Sequence, residues 1–250
     1  MLTSLPQPII FAHRGASAHA PENTLAAFEL ALAQNADAIE LDVKLSAEGQ
    51  VIVIHDPTVD RTTGRHARVK DLSLGELRAL DAGSFFSEKF QGEKIPTLEE
   101  VFEAVGKRTF INVELTNYNT PRDQLVETVC TLVRKCSLQE RVMFSSFFAS
   151  NLSKARAYLP EVPRGLLAFG GPWGAWARSF GFAFGNYQAL HPYLKDVTPQ
   201  QVQRVHRLKR RIHVWTVNAA EDMRRLFHWG VDGIFTDDPQ LAVRIRDESK

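Results

Sequence analysis

Three acidic side chains in two predicted strands have the spacing of a metal site. Glu40 and Asp42 are two residues apart in one apolar run, so both side chains lie on the same face of a strand. Glu114 ends the neighbouring predicted strand. Carboxylates this close need a cation, and oxygen ligands favour Mg²⁺ or Ca²⁺ over zinc. Lys44 shares their face, so an ordinary salt bridge is the alternative.

Two histidines and one arginine follow other short apolar runs. His13 and Arg14 come directly after residues 9–12, and His55 follows residues 51–54. A single histidine at such a position is commonly a hydrogen-bonded filler. Two histidines that converge on a metal can act as base and acid, while a guanidinium binds phosphate through two parallel hydrogen bonds. Together these residues indicate cleavage of a phosphodiester.

The elements that must position these residues alternate between short apolar strands and amphipathic helices. Helix starts are predicted by capping-box patterns at Thr97-x-x-Glu100 and, more weakly, at Asn218-x-x-Glu221. The predicted strands cover residues 9–12, 38–45, 109–115, 142–145, 165–169, 187–190, 212–217 and 233–236. Eight strands close a TIM (β/α)8 barrel of the α/β class, whose reactive groups lie at the C-terminal strand ends. The candidate residues fall at these ends.

One segment interrupts the repeat. Residues 51–54 follow a short turn and are predicted to return as a hairpin strand, outside the barrel. Residues 57–95 then form a long excursion, which we expect to cover the end of the barrel where the next loops emerge. The whole chain, 1–250, is predicted to be a single domain with 57–95 as a segment inserted after the second strand.

Several other features are expected to have smaller roles. Trp215, late in the seventh predicted strand, either lines the substrate pocket or packs in the barrel core. His191 is predicted to lie in a surface loop. The aromatic residues between 169 and 187 favour a packed loop and helix, although a rim at the barrel mouth would admit an acyl chain. The basic residues 209–211 end a helix away from the site and are expected to be solvated.

Composition and charge exclude some classes of partner. The 250 residues are 44% hydrophobic, and 30 basic residues face 29 acidic ones, for a net charge of +1. This charge provides no long-range field for nucleic acid or an anionic membrane. No apolar run approaches the roughly 20 residues of a membrane span, and no signal sequence is evident. We therefore expect a cytoplasmic protein without nucleic-acid partners or stable membrane insertion; its oligomeric state does not follow from the sequence.

The sequence resembles the glycerophosphodiester phosphodiesterase family, of the bacterial cytosolic type. The matching motifs occur in order along nearly the whole chain. They include Ala12-His13-Arg14-Gly15, Glu40-Leu41-Asp42-Val43, Val53-Ile54-His55-Asp56, Asp60-Arg61-Thr62-Thr63-Gly64 and Val214-Trp215-Thr216-Val217-Asn218.

The resemblance implies an activity and a cofactor. The activity is hydrolysis of glycerophosphodiesters, such as glycerophosphocholine or glycerophosphoethanolamine, to glycerol 3-phosphate and an alcohol. The cofactor is one divalent cation, Mg²⁺ or Ca²⁺, held by Glu40, Asp42 and Glu114. The same resemblance makes residues 57–95 the inserted cap of a TIM barrel.

The resemblance also implies roles for the basic residues. Arg14 binds the phosphate, and we assign His13 as the base and His55 as the acid. The family usually has a lysine two residues after the third metal carboxylate, where this chain has Thr116. Our hypothesis is that Lys44 supplies the missing charge.

Two other functions stay open from the sequence. The aromatic segment is compatible with a lysophospholipase D that acts on lysolipids. Thr116 at the usual lysine position is compatible with a catalytically inactive barrel that binds phosphodiesters. The presence of both histidines and all three carboxylates argues against the inactive barrel.

Overall fold

A computed structural model describes residues 5–248 and shows a closed parallel barrel. Nine strands, numbered β1 to β9 in chain order, are Ile9–Ala12, Ala38–Leu45, Val51–Val53, Phe110–Leu115, Val142–Ser146, Arg164–Ala168, Ala189–Pro192, Arg211–Val214 and Gly233–Thr236. Eight of them form the barrel in the order β1, β9, β8, β7, β6, β5, β4, β2. The barrel closes where β1 pairs with β2. The predicted fold class is confirmed.

Helices connect the strands along the outside of the barrel. Numbered α1 to α10 in chain order, they are Leu25–Ala33, Asp60–Thr63, Leu74–Arg78, Leu98–Val105, Leu125–Lys135, Ala149–Tyr158, Phe182–Phe184, Pro199–Arg207, Ala220–His228 and Pro239–Glu248. Within residues 5–248, no helix is long and apolar enough to cross a membrane.

The alternation of side chains along each strand divides the core into two layers. Ile10 and Ala12 pack outward among the helices, whereas Ile9 and Phe11 fill the barrel interior. The Phe11 and Phe235 rings stack there with their centroids 4.7 Å apart. Apolar residues thus plug the barrel and leave its C-terminal end for polar side chains.

The helix starts show how far capping patterns predict local structure. Thr97 and Glu100 form the predicted capping box at the start of α4, with the Glu100 amide donating to the Thr97 hydroxyl. The weaker pattern at Asn218 is wrong as a cap, because α9 begins at Ala220 without a side-chain cap. The Asn218 side chain instead donates to the Asp237 carboxylate and accepts from the Asp237 amide. It is therefore used in a tertiary contact and does not cap α9.

The hairpin prediction holds, because β3 pairs antiparallel with β2 and with no other strand of residues 5–248. The excursion that follows contains α2 and α3 and little other regular structure. Residues of β3 and of the excursion form a separate apolar cluster, which includes Ile52, Val59, Val69, Leu72 and Leu77. This cluster fixes the excursion against the β2–β3 edge of the barrel.

Candidate active site

The three predicted carboxylates converge at the C-terminal end of the barrel. Asp42 on β2 is in register with Glu114 on β4, and Glu40 lies two residues earlier on the same face. One oxygen from each carboxylate lies within 4.8 Å of the others. Glu40 and Asp42 are each only 2% exposed. The adjacent parallel strands therefore bring two buried carboxylates and one partly buried carboxylate to one point.

The environment of these carboxylates fits a cation. Burial, then repulsion from Asp42, raises the pKa of Glu114 to about 8. Burial and the two other carboxylates also raise the pKa of Glu40 well above its usual range. For Asp42, burial opposes ionisation, but the Arg14 guanidinium leaves its pKa below the usual value. Buried Oε1 of Glu40 has no hydrogen-bond partner among the described residues. An oxygen-liganded divalent cation would neutralise this cluster and occupy the orphaned oxygen.

His13 follows β1 at the C-terminal end of the barrel, and the carboxylate of the residue after β9 holds its ring. Its Nδ1 lies 2.7 Å from Oδ1 of Asp237, which also accepts from the Ser17 hydroxyl. The Asn218 amide donates to the other oxygen at 2.6 Å. Burial opposes ionisation of Asp237, but hydrogen bonds from His13, Asn218 and Ser17 leave its pKa below the usual value. The carboxylate therefore accepts the Nδ1 proton and leaves Nε2 of His13 as the free ring nitrogen.

His55, which follows β3, is also held by a carboxylate. Its Nδ1 lies 2.7 Å from Oδ1 of Asp56, whose other oxygen accepts from Arg61. Arg61 in turn donates two hydrogen bonds to Glu22. Within residues 5–248, neither histidine Nε2 has a recorded partner, so both nitrogens are available to a ligand.

Arg14 is fixed between the carboxylate cluster and Glu22. Its Nη1 donates to Glu22 at 2.9 Å, and its Nε lies 3.3 Å from Oδ2 of Asp42. The next residue, Gly15, has a φ of +83°, and a Cβ there would lie 2.7 Å from the Ala27 backbone. The turn after β1 thus needs glycine to pass close to α1, and this turn positions the Arg14 guanidinium at the mouth.

A cavity of about 120 Å³ brings most of the predicted site residues together. His13, Arg14, Glu40, His55 and Glu114 line it. The rest of the lining comes from β4 to β9 and from residues just after these strands: Asn112, Ser145, Phe147, Leu167, His191, Trp215, Thr216 and Phe235.

Trp215 is part of the cavity wall. It follows β8 and is not within it, and its Nε1 donates to the carbonyl of His191 at 2.7 Å. The Phe147 ring meets the Trp215 ring edge-on at 5.6 Å. The indole is therefore fixed as a flat apolar surface of the cavity that Glu40 and Glu114 also line.

Lys44 lies beside this cavity and does not line it. Its Nζ donates to the carbonyl of Thr116 at 2.9 Å and to the Thr116 hydroxyl at 2.7 Å. Asp42 and Glu114 are its principal electrostatic partners. The ammonium group is thus held by Thr116, the residue directly after β4.

The prediction for His191 is wrong. It is fully buried in β7, which runs two residues further than expected. Its ring occupies the space above Gly165, where a Cβ would lie 2.3 Å from the imidazole. Burial lowers the pKa of His191 to about 3, which keeps the ring neutral. A glycine within a strand often marks the close approach of another group, so Gly165 of β6 is the sequence signal for the imidazole packed against it.

Other polar residues of the site follow less directly from the sequence. Asp56 and Asp237 are visible at strand ends, but their pairing with the histidines depends on ring orientation. Tyr118, whose hydroxyl donates to Glu114 at 2.9 Å, lies in a loop with no local signal. Asn112 is recognisable only once the register places it opposite Glu40.

Comparison with known proteins identifies the family. Residues 13–241 match the sequence model of the glycerophosphoryl diester phosphodiesterase family. A glycerophosphodiester phosphodiesterase from Caldanaerobacter subterraneus subsp. tengcongensis is 40% identical over 241 residues, which cover 95% of this chain and 97% of that protein. The chain belongs to the glycerophosphoryl diester phosphodiesterase family.

Solved structures support the same assignment. A phosphodiesterase from Oleispira antarctica, determined in complex with the product sn-glycerol-3-phosphate, has a TM-score of 0.90 at 32% identity and 98% coverage of both chains. A glycerophosphodiester phosphodiesterase from Agrobacterium tumefaciens str. C58 has a TM-score of 0.80 at 30% identity, over 94% of this chain and 99% of that one. The predicted enzyme class, a phosphoric diester hydrolase of the glycerophosphodiester phosphodiesterase type, is confirmed.

Proposed function

We propose that the protein hydrolyses glycerophosphodiesters, such as glycerophosphocholine or glycerophosphoethanolamine, to glycerol 3-phosphate and an alcohol by histidine acid–base catalysis. The observation that carries this proposal is the pair of carboxylate-held imidazoles. His13 and His55 line one cavity, and each has its Nδ1 on a carboxylate and its Nε2 free. Such a pair suits a reaction in which a base takes a proton from the nucleophile while an acid gives a proton to the leaving group.

Arg14 and the carboxylate cluster are suited to hold the phosphate between the histidines. Arg14 donates to Glu22 through one terminal nitrogen, which fixes the plane of its guanidinium beside the cavity. Glu40, Asp42 and Glu114 would hold one divalent cation, Mg²⁺ or Ca²⁺. When bound, this cation supplies positive charge that stabilises the phosphoryl oxygens as they gain negative charge.

The two histidines have different tasks in this proposal. Nε2 of His13 takes the proton of the attacking hydroxyl, and the Asp237 carboxylate stabilises the imidazolium that forms. Nε2 of His55 donates a proton to the departing alkoxide, and Asp56 holds its ring in place. The nucleophile is either the glycerol 2-hydroxyl, through a cyclic phosphate that water then opens, or water itself.

Lys44 is proposed to supply the positive charge that the lysine at position 116 supplies in relatives with the usual motif. The support is its contact with Thr116, because Nζ lies within 2.9 Å of both the hydroxyl and the carbonyl of that residue. Residues 57–95, packed on the β2–β3 edge, are proposed to act as the cap on this side of the site.

A substrate with an acidic leaving group separates the two histidine roles. His55→Ala should strongly lower glycerol 3-phosphate release from glycerophosphocholine, but should retain most activity on the p-nitrophenyl ester of glycerol 3-phosphate, since nitrophenolate needs no proton. His13→Ala should lose activity on both substrates. Equal losses on both esters in both variants would contradict the assignment, and retention of the nitrophenyl activity by His13→Ala alone would reverse it.

An aromatic surface favours a second candidate, lysophospholipase D activity. The Phe147 ring in the cavity wall stacks on Phe169 at 4.0 Å. Phe169 is half-exposed, and the segment after it presents four exposed aromatic side chains: Trp173 (88%), Trp176 (61%), Phe180 (68%) and Phe184 (85%). Exposed apolar surface that continues into a cavity is typical of a ligand-binding site, here for an acyl chain on the glycerol arm.

The second candidate is tested by comparing choline release from lysophosphatidylcholine and glycerophosphocholine. A lysolipid enzyme should prefer the lysolipid, and Trp173→Ser with Phe184→Ser should lower this preference. Leu208→Ser, an exposed apolar residue after α8, is the matched control. Faster release from glycerophosphocholine, with no effect of the aromatic substitutions on the ratio, would exclude this candidate.

A further inference from the structure

A second cavity lies beside the reaction cavity, between the excursion and the loop after β4. Its volume is about 340 Å³. The excursion contributes Pro57, Thr58 and residues 68–70, and the β4 loop contributes Thr116, Asn117, Asn119 and Thr120. Lys44 contributes from the end of β2. The cavity is therefore bounded by the excursion, β2 and the β4 loop, and none of its lining residues lines the reaction cavity.

This second cavity is positively charged. Its lining contains Lys44, Arg68 and Lys70, and no Asp or Glu among the described residues. Arg68 and Lys70 have no recorded side-chain hydrogen bond or ion pair within residues 5–248. Asp56 bonds His55 and Arg61, and Asp123 bonds Asn117 and Thr120, so both carboxylates are already engaged. The exposed Asp71, next to Lys70 in the chain, does not line the cavity. Two cations facing a cavity without counter-charge indicate a site for an anion.

The position of the cavity relates it to the leaving alcohol. Thr116 lies two residues beyond Glu114 on the same chain, a distance of roughly 7 Å along a strand. Pro57, in the wall of the second cavity, lies two residues beyond His55. His55 is the residue proposed to protonate the leaving alkoxide. An alcohol of two or three carbons that leaves past His55 would extend toward Pro57 and the second cavity, whereas Trp215 lines only the reaction cavity.

We propose that the cavity lined by Lys44, Arg68 and Lys70 is the subsite for the leaving alcohol, and that it selects alcohols that carry an anionic group. This inference rests on the proposed function, since it needs His55 on the leaving-group side. A carboxylate or a second phosphate on the alcohol would pair with Arg68 and Lys70, whereas a quaternary ammonium group such as choline would gain no such pairing.

Two substrates that differ by one carboxylate test the subsite. Glycerophosphoserine is glycerophosphoethanolamine with a carboxylate on the alcohol, and both release glycerol 3-phosphate. We expect kcat/KM for the serine ester to exceed that for the ethanolamine ester by about tenfold, as one charged hydrogen bond would give. Lys70→Glu and Arg68→Gln should each lower this ratio, by about tenfold for the charge reversal. Lys154→Glu, an exposed site on α6, makes the same change in net charge and should leave the ratio unchanged.

The outcomes separate the subsite from the activity. A ratio near one that Lys70→Glu does not change, with glycerol 3-phosphate released from both esters, would overturn the subsite and leave the proposed function intact. An equal change of ratio in Lys154→Glu would show a general field effect and would also overturn it. Release from neither ester, with Mg²⁺ or Ca²⁺ present, would overturn the proposed function and this inference with it.

Discussion

The contact between His13 and Asp237 makes a strong prediction for catalysis. Asp237→Asn keeps the size of the side chain but removes the charge that lies 2.7 Å from His13 Nδ1. A hydrogen bond to a charged group contributes about 1.5 to 3 kcal/mol. If that amount is lost only in the transition state, kcat should fall roughly 10- to 150-fold with little change in KM. Steady-state release of glycerol 3-phosphate from glycerophosphocholine measures both constants.

The adjacent carboxylate provides the control. Asp238 accepts from the Leu241 amide at the start of α10, a role that asparagine also fills, so Asp238→Asn should keep wild-type kcat. Circular dichroism and thermal unfolding would show that both variants are folded. A kcat for Asp237→Asn within threefold of wild type would refute the idea that this carboxylate supports His13 in the reaction.

Three further predictions concern the charges of the site and the barrel. Lys44→Ala should lower turnover at least tenfold with the fold intact, and adding Thr116→Lys should restore part of it; wild-type turnover in Lys44→Ala would refute the compensation. In metal-free protein, the pKa of about 8 for Glu114 means that its contribution to the free energy of unfolding is complete below about pH 4.5 and is lost as the pH rises through 8. The loss should be on the order of 5 kcal/mol by denaturant titration, and Mg²⁺ or Ca²⁺ should reduce it. Arg246→Met leaves Asp37 buried without its ion pair and should lower the free energy of unfolding by about 3 to 5 kcal/mol. A loss of this size should lower Tm by several degrees, so a Tm within roughly 2 °C of wild type would contradict that role.

The barrel was predictable because its signals are local and repeated. Each strand is a short apolar run between amphipathic helices, and eight such runs admit few architectures. The end of β7 was predicted two residues too early. β7 extends through His191 because Gly165 on β6 makes room for the imidazole, which is a relation between two strands and not a property of either.

The candidate site was predictable where residue type and spacing carry the chemistry. Glu40 and Asp42 share a face by strand geometry alone, and the register then adds Glu114. The partners of the histidines were not predictable in the same way. Asp237 is distant from His13 in sequence, and their contact depends on the pairing of β1 with β9. Arg68 and Lys70 likewise come to line a cavity only because the excursion lies beside the β4 loop, which the sequence does not show.

The central claim is divalent-cation-dependent hydrolysis that uses His13 as the base. The most direct measurement is release of glycerol 3-phosphate from glycerophosphocholine by the purified protein, with Mg²⁺ or Ca²⁺, with a chelator, and with His13→Ala. The account predicts release that requires the divalent cation and falls at least about 10²-fold in the variant. Release that persists in the chelator, or wild-type rates in His13→Ala, would contradict it.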